Sequence, residues 1–223
     1  MNAPTRIATP ATSPVPLTVE AVRVLADAGV YEDLQARQEL VDGVLIMVPP
    51  PGPGHWQAEA ALVRLLIRAI DRAGLSDRLV AQTGAGLQIG DDTLLGPDIM
   101  LRAADAGSHE LGPVDVSLVI EIASTSLRRD RGDKAQRYAA AGVPEYWVVD
   151  VMGQAIIVHE HPADDGYRAV REVGSGETVS PGRWPQIAIA VAELICRRRL
   201  ARSPTGTARS GSAGRVRPPT STP

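Results

Sequence analysis

The sequence predicts an α/β domain built on a mixed β-sheet with helices packed against it. Three observations carry that expectation. Stretches with helical apolar spacing alternate with short apolar runs bounded by Gly, Pro and Asp, in the order helix, hairpin, helix, strands, helix, strands. The chain has 223 residues, 44% of them hydrophobic, enough for one core of ordinary size without covalent staples. Aromatic residues make up only 3% and Phe is absent, so that core must be aliphatic.

Residues 1–16 (MNAPTRIATPATSPVP) are rich in Pro, Thr and Ala and are expected to form a disordered leader. Thr18 then reads as a helix N-cap, with Glu20 in the first turn, Val22, Leu25 and Ala26 at helical spacing, and Gly29 at the end. Glu39–Val48 is two apolar runs around Asp42-Gly43, a hairpin signal. After a Pro/Gly loop a second amphipathic helix runs from His55 to Ala73, with Ala58, Leu62, Leu65, Leu66 and Ala69 on one side. Strands follow at Leu79–Ile89, at Leu94–Leu101 (which contains Gly96-Pro97-Asp98) and at Val116–Ile122. The last is almost wholly apolar, as a central buried strand is, but carries Glu121. Asp130–Ala141 is helical and stops at Gly142, ahead of Pro144. Glu145–Val151, Ala155–His159 and Tyr167–Val173 are three more strands, and Ile187–Ile195 closes a single domain expected to span 17–196. Residues 197–223 hold seven arginines and no acid, a basic tail expected to be disordered.

Several function classes drop out. A single cysteine, Cys196, excludes a disulfide framework, a multi-cysteine zinc site and an iron–sulfur cluster. No apolar run approaches the roughly 20 residues of a membrane helix, and the N-terminus lacks the apolar stretch of a signal peptide. No membrane is implied, and the cytoplasm is the expected compartment. The net charge of −3 conceals 16 basic against 26 acidic residues in the first 196. Such an acidic body is not the even basic surface of a typical nucleic-acid binder. No Gly-x-Ser-x-Gly elbow occurs, and Gly84-Ala85-Gly86 is too short for a phosphate loop.

Three features stand together: Pro97-Asp98, Glu121 on the next apolar strand and Lys134 on the following helix. An ionised carboxylate in a buried strand is costly unless it is paired or binds a metal. Two carboxylates on neighbouring strands make an oxygen site suited to Mg2+ or Mn2+. A nearby lysine is equipped to hold a phosphate oxygen or orient an attacking water. Lys134 is the only lysine among 23 basic residues, in a chain that otherwise supplies Arg, which points to a site wanting a compact ammonium.

Asp98, Glu121 and their strands resemble the active-site signature of PD-(D/E)XK nucleases. The run LVIEIASTSLRRDRGDKAQRYAAAGVPEYWVVDV (118–151) resembles the Uma-two family of restriction-endonuclease-like proteins, and ELVDGVLIMVPP followed by His55 fits that family's N-terminal motif. The resemblance covers roughly 18–195. It implies a restriction-endonuclease-like fold, a divalent metal (Mg2+ or Mn2+) and hydrolysis of DNA phosphodiester bonds. It also implies that Asp98, Glu121 and the Ile122 carbonyl hold the metal, with Lys134 as the catalytic lysine and Glu39 completing the acidic cluster. The sequence departs from the signature at Ala123, where the motif has Lys; in this family the lysine sits on the helix, at Lys134. The implied partners are DNA and, for an oligomer, a second copy in a homodimer.

Each assignment has a plainer rival. Asp98 suits a turn, Lys134 suits a helix-surface pair with Asp130, and Glu39 suits the solvent side of a hairpin. His55 reads better as a helix-start or packing residue than as a base. Ser124-Thr125-Ser126 suits a polar turn as well as a phosphate contact. Arg128, Arg129 and Arg131 interleave with Asp130 and Asp133 and read as a solvated loop, and Tyr146-Trp147 reads as core. The favoured function is a metal-dependent endonuclease. Its alternative is a catalytically silent, nuclease-derived nucleic-acid-binding or regulatory module. A third reading is an oligomerisation module in which strands 145–151 and 155–159 pair between subunits.

Overall fold

A computed structural model of the chain describes residues 15–31, 36–107, 111–123 and 130–194, with the side chains of 130 and 131 left out. Residues 1–14 of the leader, the 197–223 tail, Ser124–Ser126, Arg128 and Arg129 lie outside the described residues, as does the Arg131 side chain. Helix α1 (Val19–Asp27) starts where its cap is: the Thr18 hydroxyl accepts the Ala21 N–H at 3.1 Å. Its buried stripe is Val19 and Val22, while Ala26 faces solvent. Strands β1 (Arg37–Val41) and β2 (Val44–Val48) form the expected hairpin. Asp42 (φ 51°) and Gly43 (φ 75°) are both left-handed, as a two-residue turn matched to strand twist requires.

Gly43 is also pressed against the incoming chain, where the Leu17 N–H donates to its carbonyl at 2.9 Å. A Cβ on Gly43 would lie 2.4 Å from the Pro16 Cβ. Gly43→Ala is therefore expected to cost at least about 1–2 kcal/mol in urea unfolding, from left-handed strain plus the clash. A change under about 0.5 kcal/mol would mean that the turn and the 15–17 segment relax freely.

Helix α2 (Pro53–Arg72) buries the predicted side, Ala58, Leu62, Leu65, Leu66 and Ala69, together with His55 and Ile70. The next two expected strands are each divided by the structure. Leu79–Ile89 becomes β3 (Leu79–Thr83) and β4 (Leu87–Gly90), interrupted at Gly84 with φ 69°. Leu94–Leu101 becomes β5 (Thr93–Leu95) and β6 (Ile99–Ala103), interrupted at Gly96-Pro97-Asp98. The physical reason is the same in both: glycine or proline lets the chain leave one sheet for another. Then come β7 (Val116–Ala123), a π-helical turn over Asp130–Lys134 and α3 (Ala135–Ala140). They are followed by β8 (Glu145–Asp150), β9 (Ala155–Ala163), β10 (Gly166–Gly174), β11 (Thr178–Val179), β12 (Ile189–Ala190) and α4 (Val191–Leu194).

The expected mixed sheet is present, and among the described residues two smaller sheets accompany it. Six strands run in the order β10-β9-β8-β7-β6-β3, four in the order β2-β1-β5-β4, and β11 pairs with β12. The six-stranded sheet is mixed because β7 and β8 are parallel and its other pairs antiparallel. Every residue of β7 is buried, which explains its apolar run. Alternation along β7 sends Leu118, Ile120 and Ile122 to the core under α2, and Val119 and Ala123 to the core under α3. Tyr146 and Trp147 are core residues. Pairing between subunits through 145–151 and 155–159 is overturned: β8 lies between β7 and β9, and β9 between β8 and β10, so their backbone groups are already taken. Among the described residues no helix is long and apolar enough to cross a membrane.

Candidate active site

The alternation that builds the core also builds the site. Glu121 has the same parity as Val119 and Ala123, so it points toward α3 and is only 3% exposed. Asp98 stands one residue before β6. The antiparallel register Ile99↔Ile120 brings it against the 121–122 stretch of β7, where its Oδ2 accepts the Ile122 N–H at 2.7 Å. Pro97 has no N–H to donate, which suits a chain leaving β5 without a ladder partner. Glu39 arrives from the other sheet, on β1, and its Oε1 accepts the Gly96 N–H at 3.2 Å.

Lys134 closes the group. The π-helical turn delivers it inward, and it is 6% exposed. Its ammonium donates to Glu121 Oε1 at 2.7 Å and to Glu39 Oε1 at 2.9 Å. Thus Lys134 is buried rather than on the helix surface, and Glu39 does not face solvent. The Tyr138 hydroxyl, one helical turn on, donates to the same Glu121 oxygen at 3.2 Å. On the outside, Arg137 makes a two-pronged pair with Asp42 at 2.8 and 2.6 Å. That pair ties α3 to the hairpin carrying Glu39.

Two cations that the sequence reading left aside complete the picture. His55, in the first turn of α2, places Nε2 3.3 Å from Asp98 Oδ1, and the Arg37 guanidinium on β1 approaches the same oxygen at 3.4 Å. The sequence did hold a signal for His55, since it follows the hairpin motif at a fixed place. Nothing local marks Arg37, whose neighbour in space lies 61 residues away.

Burial and charge compete at each group. Burial pulls the Lys134 ammonium down, but the charges and hydrogen bonds of Glu121 and Glu39 outweigh it and hold its pKa above the usual lysine value. For Asp98 burial pushes up, while the hydrogen bond and charge of His55, the Ile122 N–H and Arg37 bring it below the usual carboxylate value. His55 is pulled down by burial and raised further by Asp98, Glu59 and the Ile122 backbone, ending above its ordinary value of 6.5. A raised histidine stabilises the fold fully below its unfolded pKa and loses that contribution as pH rises through the folded one. In EDTA, thermal stability should therefore fall as pH rises above about 6.5, with His55→Gln flattening the slope. An unchanged slope in that variant would remove His55 from the ion-pair group.

The donors suit one kind of ion. Asp98, Glu121 and the Ile122 carbonyl are all oxygen. Among the described residues no group of three or more His, Cys, Asp or Glu is arranged to hold a metal. Mg2+ typically takes one or two carboxylates and keeps waters. Asp98 and Glu121 fit that pattern.

Comparison with known proteins places the chain in a family. Residues 28–192 match the family model Uma2, described as "Putative restriction endonuclease". The chain belongs to the Uma2 family. No curated protein matches its sequence significantly. Among solved structures, a "putative nuclease" from Anabaena variabilis superposes with a TM-score of 0.60 at 16% identity, covering 80% of this chain and 97% of that one. At that identity the likeness shows the fold, and the Uma2 chain shares its α/β architecture. The type IIG restriction endonuclease BpuSI aligns over 65% of this chain and 16% of its own, at 15% identity and a TM-score of 0.38, too low to bear on the fold.

Proposed function

We propose that this Uma2 protein is a divalent-metal-dependent endonuclease that hydrolyses DNA phosphodiester bonds in the cytoplasm, through the domain spanning 17–196. The observation that carries the reading is the buried Lys134 held between Glu121 and Glu39, with Asp98 hydrogen-bonded to the adjacent Ile122. Asp98, Glu121 and the Ile122 carbonyl are the residues that would hold Mg2+ or Mn2+. The ion would supply Lewis acidity, acidifying water and offsetting charge on the phosphate. Lys134, held protonated by its two carboxylates, orients the attacking water or stabilises the charge developing on the phosphate oxygens. Glu39 fixes that ammonium and, through Gly96, the approach to Asp98. Arg37, the more exposed of the two cations on Asp98, stands where a phosphate arriving from solvent meets the site.

Supercoiled plasmid incubated with Mg2+ or Mn2+ is expected to be nicked, and EDTA to stop it. Nucleic-acid affinity that persists in EDTA, falls steeply with salt and is never accompanied by cleavage of duplex, single-stranded or RNA substrates would replace this reading with a binding module.

A further inference from the structure

The six-stranded sheet has two edges, and among the described residues only one is protected. Strand β10 presents exposed Arg168, Arg171 and Glu172, the charged side chains that keep an edge from recruiting another strand. Strand β3, at the opposite edge, is LVAQT, with no charge, no proline and no bulge against β6. Beside it α2 leaves an apolar band uncovered. Trp56 is 53% exposed and Ile67 46%, Ala60 is exposed, and Val63 is half-buried. These side chains and Thr83, at the end of β3, line a groove of about 640 Å³ that Glu59, Arg64 and Arg68 flank with charge.

We propose that this face is the homodimer interface, with α2 of two copies packed antiparallel about a two-fold axis and β3 of each beside the other. The band's own spacing selects a second copy as occupant. Positions 56, 60, 63 and 67 are separated by four, three and four residues, the period of a helix-pairing stripe, and the pattern is unchanged when the helix is reversed. Turning one copy end for end sets Trp56 against Ile67 of the other and Ala60 against its Val63. Large side chains meet at the ends and small ones in the middle, where the helix axes must approach. That self-complementarity is the condition for an isologous contact. An axis perpendicular to the sheet that reverses α2 also reverses β3, so the same operator pairs the open edges antiparallel. One symmetry operation thus covers the apolar band and satisfies the free strand edge.

Sedimentation velocity on the full chain tests this without reference to catalysis. The wild-type protein is expected at twice 23.6 kDa, and Ile67→Glu and Ala60→Glu are each expected to weaken the dimer on the order of 100-fold and give the single mass. Both positions are exposed, so circular dichroism should show both variants folded, and Val170→Glu on the protected β10 edge should leave the dimer intact. A monomeric wild-type protein at about 100 μM would overturn the proposal. So would a dimer that survives both α2 substitutions, or substitutions that leave the mass unchanged and weaken duplex-DNA binding instead.

Discussion

Asp98→Asn is expected to lower metal-dependent nicking by about 10³-fold or more while leaving the protein folded. Asparagine is the informative replacement because its amide oxygen still accepts the Ile122 N–H, now met at 2.7 Å by Asp98 Oδ2. What it removes is the anionic charge that faces His55 and Arg37 and that a divalent ion would need. Asp98→Ala removes the acceptor as well, adding about 1–3 kcal/mol for a buried N–H left unpaired. Comparing the two separates loss of chemistry from loss of fold. The wild-type advantage in stability also has a sign in pH. Asp98 titrates below its ordinary value of 3.8, so its contribution is present above that value and is lost as pH falls through the folded pKa. Nicking by Asp98→Asn at more than about a tenth of the wild-type rate would take Asp98 out of the catalytic group.

Lys134→Met should be the most destabilising single change in the site, at about 3–5 kcal/mol in urea unfolding. The ammonium is the shared partner of two carboxylates that are almost fully buried, Glu39 and Glu121 at 1% and 3% exposure. Methionine keeps the length of the stem and deletes the charge, so both anions lose a cation held within hydrogen-bond distance. Adding Glu39→Gln to Lys134→Met should recover part of the loss, since one of the two buried anions is gone, and the two changes should be clearly non-additive. Lys134→Arg should rescue poorly despite its charge, because a planar fork does not fit a site shaped for a compact ammonium. Additive costs, or a loss below about 1 kcal/mol, would mean that the three side chains do not act as one unit. Activity should fall with Lys134→Met as well, through loss of the group that faces the phosphate.

Much of this was legible locally. Asp42-Gly43 specifies a turn that two positive φ angles realise, Thr18 caps the helix it precedes, and the period-3.6 stripe of α2 is the face it buries. Pro97-Asp98, Glu121 inside an apolar strand and a single lysine in an arginine-rich chain pointed to Asp98, Glu121 and Lys134, the family resemblance added Glu39, and the structure brings these four together. Local pattern ran out at Gly84 and at Gly96-Pro97-Asp98. A run of strand-forming residues does not say which sheet its second half will join, because pairing partners lie far away in sequence. Leu79–Ile89 and Leu94–Leu101 therefore read as single strands. Arg37 and His55 escaped for the same reason: each meets Asp98 only after β1, α2 and β6 have packed.

The sequence by itself determined the α/β class, the hairpin and the two main helices, whereas the core it led one to expect as aliphatic also buries Trp147, Tyr138 and Tyr146. Class, hairpin and helices follow from side chains close in sequence, through turn chemistry, capping and periodicity. Only the tertiary structure decided that Glu39 crosses from a second sheet to share the lysine, that His55 and Arg37 both meet Asp98, and that β3 and β10 rather than β8 or β9 end the six-stranded sheet among the described residues. Those outcomes depend on which distant backbone groups pair. A buried charge is settled by whatever partner the finished fold brings within hydrogen-bond reach.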